Sequence, residues 1–264
     1  MDKCIVEHLH SWFSDYVSGY YSEDTDIDFH IRLKELHTLR VCSNIMSIGY
    51  DLKLSECELY LAETIALLHD IGRFEQYKKY RTFSDGKSQD HALLGISILE
   101  MEGVLVDICK KERNILLDAI RFHNTFEIPG NVDPESLLFI KLIRDADKLD
   151  ILDILVDFYE KPGDYPNLSV SEAYMRPGYS QQVLSDVLNG KLLDYNNVKT
   201  SDDMKLLRLS WVFDINFRYT FECIKNKGYW EKIIKSLPDN EDIRSVQKLI
   251  LDYNDKKSRS SSIP

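Results

Sequence analysis

Cysteine is scarce and scattered. Five occur, at Cys4, Cys42, Cys57, Cys109 and Cys223, an odd number with no Cys-x-x-Cys among them, which argues against both a disulfide framework and a thiolate metal site. Positive charge is also short: 33 Lys and Arg stand against 44 Asp and Glu, a formal net charge of -11. Such a surface repels a phosphate backbone, so no nucleic-acid duplex is expected as a partner. Long apolar runs are missing too. No stretch approaches the roughly 18 uncharged apolar residues that span a bilayer, and the first dozen residues carry Asp2, Lys3 and Glu7 instead of a leader pattern. A cytoplasmic chain without a membrane partner is the expectation. What is present is hydrophobic mass, 44% of 264 residues, enough for one substantial core or two modest ones. With thiolates set aside, any metal must be held by His, Asp or Glu.

Apolar residues recur at spacings of three and four almost everywhere, the period of an amphipathic helix, so the fold class is all-α. Ile5, Leu9, Trp12, Phe13, Tyr16 and Tyr20 form a first stripe, broken at Gly19 and the polar run Ser22 to Asp26. A second helix is expected from near Asp28 through Ile48, with Gly49 as its stop. Ser55 and Glu58 make a capping-box pattern for a third, which runs up to His69. From Gly72 to Asp90 the pattern gives way to a basic loop with Arg73, Lys78, Lys79, Arg81 and Lys87. Helical spacing resumes at Leu94, at Ile115 and from Leu138 to Ile154. One all-α domain over 1–264 is expected, with a loop-rich possible lid at 161–203, helices over 204–253 and a frayed tail from 256.

Four of the seven histidines fall on apolar helix faces or at helix ends. His37 precedes Val41 by four, His69 follows Ile65 by four, His123 follows Ala119 by four, and His91 opens a helix bearing Leu94, Gly95 and Ile98. Asp147 lies midway between Ile143 and Ile151, and Asp70 adjoins His69. One inward imidazole is an ordinary core residue. Four with two carboxylates strand charge in a low dielectric, at several kcal/mol per ion, unless a cation pair accompanies them.

The order of these residues resembles the HD-domain superfamily of metal-dependent phosphohydrolases, an all-α helical bundle, here with additional C-terminal helices. The resemblance rests on His37 to Val41 (His-x-x-Arg-Val), His69 to Gly72 (His-Asp-Ile-Gly), His91 to Gly95 (His-Ala-x-x-Gly), His123, and Asp147 within Arg-Asp-Ala-Asp-Lys-Leu. It covers residues 28–155. Thirty-two residues separate His37 from His69, and again His91 from His123. The chain departs from the HD-GYP cyclic-dinucleotide phosphodiesterases in having Asn124 after His123 and no Gly-Tyr-Pro segment, which disfavours a cyclic dinucleotide.

The resemblance implies two divalent metal ions (Mn, Fe, Co, Ni or Zn). One would be held by His37, His69, Asp70 and Asp147, the other by Asp70, His91 and His123, with Asp70 shared and a metal-bridging hydroxide as nucleophile. Arg73 and Lys148 are the candidate catalytic cations that clamp phosphate oxygens, and Asn124 is a further substrate contact. Arg40 reads as a structural ion-pair partner; His30, seven residues before His37 and near the same helix face, reads first as a packing residue, with a place behind the site or against substrate as the alternative. The expected activity is hydrolysis of a small-molecule phosphomonoester or phosphodiester, nucleotides included. The alternatives are a di-iron HD-type oxygenase, which the same six ligands would serve, and a non-catalytic, metal-stabilised binding module.

Overall fold

A computed structural model of the chain describes residues 1–161 and 176–259. Among them every regular element is helical, and no helix is long and apolar enough to cross a membrane. The chain divides into two compact units, Met1–Asp150 and Ile151–Pro264.

The first unit contains α1 (Lys3–Ser18), α2 (Thr25–Asp51), α3 (Glu56–Leu68), α4 (Gly72–Tyr80), α5 (His91–Met101) and α6 (Lys110–Phe122). It also contains most of α7 (Pro134–Glu160). Side-chain caps set several helix starts: Asp2 accepts from the amide of Ile5, Asp24 from those of Asp26 and Ile27, and Asp90 from that of Leu93. The expected capping box is present, with Ser55 and Glu58 each bonded to the other's backbone. Of the first predicted stripe Leu9 and Phe13 are buried, while Ile5, Trp12, Tyr16 and Tyr20 are half-buried and Val17 is buried in their place. Val41, Ile45 and Ile48 on α2, Ile65 and Leu68 on α3, and Ile140 and Ile143 on α7 are buried as helical spacing requires. Each such side chain contributes roughly 1.5–3 kcal/mol over its exposed state.

Two local expectations are corrected. α2 begins at Thr25 and passes through Gly49 to Asp51. Gly49 does not terminate it; a Cβ there would lie 2.7 Å from a methyl of Leu59, so the missing side chain lets α2 and α3 approach. The basic loop expected from Gly72 is instead helical through Tyr80. Phe74, Gln76 and Tyr77 form the buried face of α4, and Arg81 closes it in the left-handed conformation. Nine residues with so polar a composition carry too little apolar periodicity to be recognised in sequence. The basic side chains there are spent locally, with Arg81 paired to Asp24 and Asp26 and Lys78 over the Tyr20 ring.

The second unit contains α8 (Gln181–Leu188), α9 (Ser201–Ser210), α10 (Arg218–Lys227), α11 (Tyr229–Lys235) and α12 (Glu241–Ser258). Its core includes Phe221, Ile224, Trp230, Ile233, Val246 and Ile250. Trp230 donates from its indole nitrogen to Asn254 at 3.0 Å, and the Asn254 amide donates to the carbonyl of Phe221. The possible lid at 161–203 falls partly outside the described residues, at 162–175, and its described remainder holds α8 and a short 3-10 turn, Tyr195–Asn197. The tail expected to fray from 256 is helical to Ser258, and its residues 260–264 lie outside the described set.

Candidate metal centre

Six elements of the first unit aim polar side chains at one buried point. His37 comes from the middle of α2. His69 and His123 are the C-caps of α3 and α6, His91 is the first residue of α5, Asp70 lies in the turn before α4, and Asp147 lies on α7. Glycine makes this convergence possible. A Cβ on Gly72 would come 2.2 Å from the carbonyl oxygen of His91 and 2.7 Å from the amide nitrogen of Gly95, so α4 and α5 meet backbone to backbone at the place that delivers His91 to Asp70.

Asp70 is the hub. Its Oδ2 faces His37 Nε2 at 3.5 Å and His69 Nε2 at 3.6 Å, while its Oδ1 faces His91 Nε2 at 3.2 Å and His123 Nε2 at 3.8 Å. Asp147 Oδ1 joins the first half, 3.1 Å from His37 Nε2 and 3.9 Å from His69 Nε2. Two groups of three therefore have donor atoms close enough to hold a cation: His37, His69 and Asp70, and Asp70, His91 and His123.

All four rings are fixed from behind. His37 Nδ1 donates to Asp150 at 2.6 Å and His91 Nδ1 to Asp85 at 2.7 Å; His69 and His123 donate to the carbonyls of Ala66 and Ile120, each at 2.7 Å. These acceptors place the ring proton on Nδ1 and leave a bare lone pair on every Nε2, the tautomer a metal ligand needs. Among the described residues no hydrogen-bond partner completes the buried Nε2 atoms of His37 and His69. The bare Nε2 atoms of His91 and His123 lie 3.0 Å apart. Two lone pairs repel at that distance unless they share a cation, and it matches neighbouring nitrogens about 2.1 Å from one ion at about a right angle. The residues present fit a metal.

The electrostatics agree. Burial, reinforced by the neighbouring His91 and His69, depresses His123 to about 3, and burial also lowers His69. Burial opposes ionisation of Asp70, yet Lys34, His69, His91 and Arg73 hold it well below the ordinary carboxylate value. Asp147 is likewise held down by His37 and His69 against the effect of burial. His37 runs the other way: against burial and the nearby Lys34, Asp147 and Asp150 raise it above the ordinary imidazole value, so a metal ion there would take the place of a proton. Imidazole nitrogens and ionised carboxylates form the donor set that divalent first-row metals prefer.

The six candidate ligands thus come together. Arg73 lies beside them with Nε 3.5 Å from Asp70 Oδ1, but its Nη1 serves α4 and the loop after it, donating to Gln76, the Phe83 carbonyl and Asp85 at 2.6–2.9 Å. Asn124 adjoins Asp85 and His91, at 3.4 and 3.5 Å. Lys148 is buried on α7, one residue after Asp147. Arg40 is the ion-pair partner expected of it, gripping Asp150 through Nε and Nη2. His30 stacks on Tyr77 at 4.2 Å and bonds the Asp26 carbonyl. Three residues escaped the sequence reading. Lys34 Nζ lies 2.8 Å from Asp70 Oδ2, and its place three before His37, on the same helix face, was the available signal. Asp150 stands three after Asp147 by the same rule. Asp85 sits in an irregular loop, where no periodicity points to it.

Residues 36–152 match the family model of the HD domain. No curated protein and no solved structure matches the chain.

Proposed function

Proceeding from the HD domain that this chain carries across residues 36–152, we propose that it is a phosphohydrolase of small-molecule phosphate esters using two divalent ions. HD domains are generally metal-dependent hydrolases that bind divalent metals; the finer reading rests on Asp70. Its two oxygens face separate imidazole pairs, and two cationic side chains, Lys34 and Arg73, gather at the same carboxylate. A shared carboxylate suits an ion pair, and convergent cations suit an oxyanion substrate.

In this reading His37, His69, Asp70 and Asp147 hold one ion, and Asp70, His91 and His123 the other. Bound ions would supply Lewis acidity and bring the pKa of a water from 15.7 down to roughly 7. The chain's own residues do the rest. Asp150 and Asp85 keep His37 and His91 in the ligating tautomer, as carboxylates behind metal-bound imidazoles do. Three protein donors against four leave the His91 and His123 half the more open to an incoming phosphate oxygen. Arg73 and Lys148 neutralise charge on the phosphoryl group, and Asn124 fixes its orientation.

The test is turnover of a phosphate-ester panel by protein loaded with manganese, iron, cobalt, nickel or zinc under nitrogen. Ester hydrolysis without oxygen, read as inorganic phosphate from monoesters and as the freed alcohol from diesters, is the expected result. Oxygen consumption with ferrous iron and no anaerobic turnover would replace the hydrolase with an oxygenase.

A further inference from the structure

Lys34 is the residue whose surroundings ask most. It rises from α2 one turn before His37, and its ammonium meets Asp70 Oδ2 at 2.8 Å, closer than either His37 or His69 approaches that oxygen. The Asp70 side chain is 4% exposed and that of Lys34 17%, so this is a shielded pair. The ammonium also lies over the face of Phe83, 5.4 Å from the ring centre. On that ring it shares the site with the Arg73 guanidinium, whose carbon is 5.9 Å from the centre.

We infer that Lys34 exchanges partners: it pairs with Asp70 when the His37 and His69 half is empty of metal, and binds a phosphate oxygen of the substrate when that half is loaded. The inference rests on the phosphohydrolase reading above. Its physical basis is competition for one atom. An ion held by His37 and His69 must share Asp70 Oδ2 with the ammonium, and like charges a few ångström apart in a low-dielectric site repel strongly. The ammonium is tethered by its helix and by the Phe83 face, so it cannot withdraw far. Beside two divalent ions it is left short of negative charge, and the group that restores the balance is a substrate oxyanion. A lysine suits this task because its point charge and flexible stem re-aim without a fixed fork geometry.

The competition gives Lys34 opposite effects on two ligands, which a merely structural residue would not produce. The experiment measures binding of manganese alone, and of inorganic phosphate to manganese-loaded protein, by calorimetry on the full chain. Lys34→Met should bind manganese several-fold more tightly while its phosphate affinity falls on the order of ten- to a hundredfold. Lys34→Arg keeps the charge and should recover most of the phosphate affinity. Lys78→Met, which removes an exposed lysine of α4, should change neither. Thermal melts establish that each variant is folded. Unchanged manganese affinity in folded Lys34→Met, or equal weakening of both ligands, overturns the exchange, as does loss of phosphate binding in Lys34→Arg equal to that in Lys34→Met. Failure of the phosphohydrolase reading looks different: wild type itself would hydrolyse no phosphomonoester or phosphodiester, while the manganese measurement still reads the competition.

Discussion

The two units each bury a polar cluster, and the clusters are resolved in opposite ways. In the second unit Asp202 and Asp203 open α9. Asp203 accepts from the backbone amides of Ser180 and Lys199 at 2.6 and 3.0 Å and from the Ser180 hydroxyl at 2.7 Å, and Asp202 from the Gly178 amide and Lys205. Its charge is answered by donors the chain supplies. In the first unit the answer is incomplete: four imidazoles spend their protons outward on Asp150, Asp85 and two carbonyls, and turn bare nitrogens on a common point. A buried polar group that finds its partner is architecture, and a buried set that faces inward unanswered awaits a ligand.

Breaking the hub should produce the largest effect. Asp70→Ala removes the only carboxylate common to both halves, and elemental analysis should find metal at background level with activity lost. A variant that retains two ions would refute its shared role. Gly72→Ala comes next, because its new methyl meets the His91 carbonyl and the Gly95 amide, backbone atoms that cannot step aside. We expect a loss of about 3 kcal/mol in chemical denaturation, together with weakened metal binding as His91 moves. The counterpart in the second unit, Asp203→Ala, should also cost about 3 kcal/mol through stranded donors yet leave metal content per folded molecule unchanged. Loss of metal there would erase the distinction between the clusters.

Asp85→Asn sharpens the comparison within the first unit. Removing the carboxylate behind His91 should weaken one ion by roughly 10- to 100-fold, read as a change in one of two calorimetric steps; an equal change in both would mean the halves are not separable. The smallest effect is in acid. The donors around Asp203 hold its pKa, against burial, below the ordinary 3.8. Its stabilisation is therefore complete above 3.8 and lost as pH falls through the lower, folded value. Asp203→Asn should flatten the acid limb of a stability profile in that window and leave neutral pH to the lost hydrogen bonds alone.

Much of the site could be read before any coordinates. His37, His69, His91, His123 and Asp147 were placed inward because each sits three or four residues from an apolar neighbour, and a helix puts such positions on one face. Lys34 and Asp150 obey the same geometry, but a charged residue near a helix face is ordinarily solvated, so spacing alone does not single them out. Asp85 was beyond reach, since a loop carboxylate has no period to betray it. The α4 helix was missed for a related reason, its buried face being carried by Phe74, Gln76 and Tyr77 within a polar segment.

By itself the amino-acid order determined most of the helices, α4 excepted, and their inward stripes, because these follow from the 3.6-residue turn, and it displayed the ordered set of His37, His69 with Asp70, His91, His123 and Asp147. Only the tertiary structure decided which oxygen of Asp70 meets which imidazole pair, that Asp85 and Asp150 stand behind two of the rings, and that Lys34 contends for the shared carboxylate. Those contacts depend on how closely helices approach, at Gly49 and at Gly72 against Gly95, and on how one loop closes. Periodicity along a single helix carries no record of the distance to its neighbour.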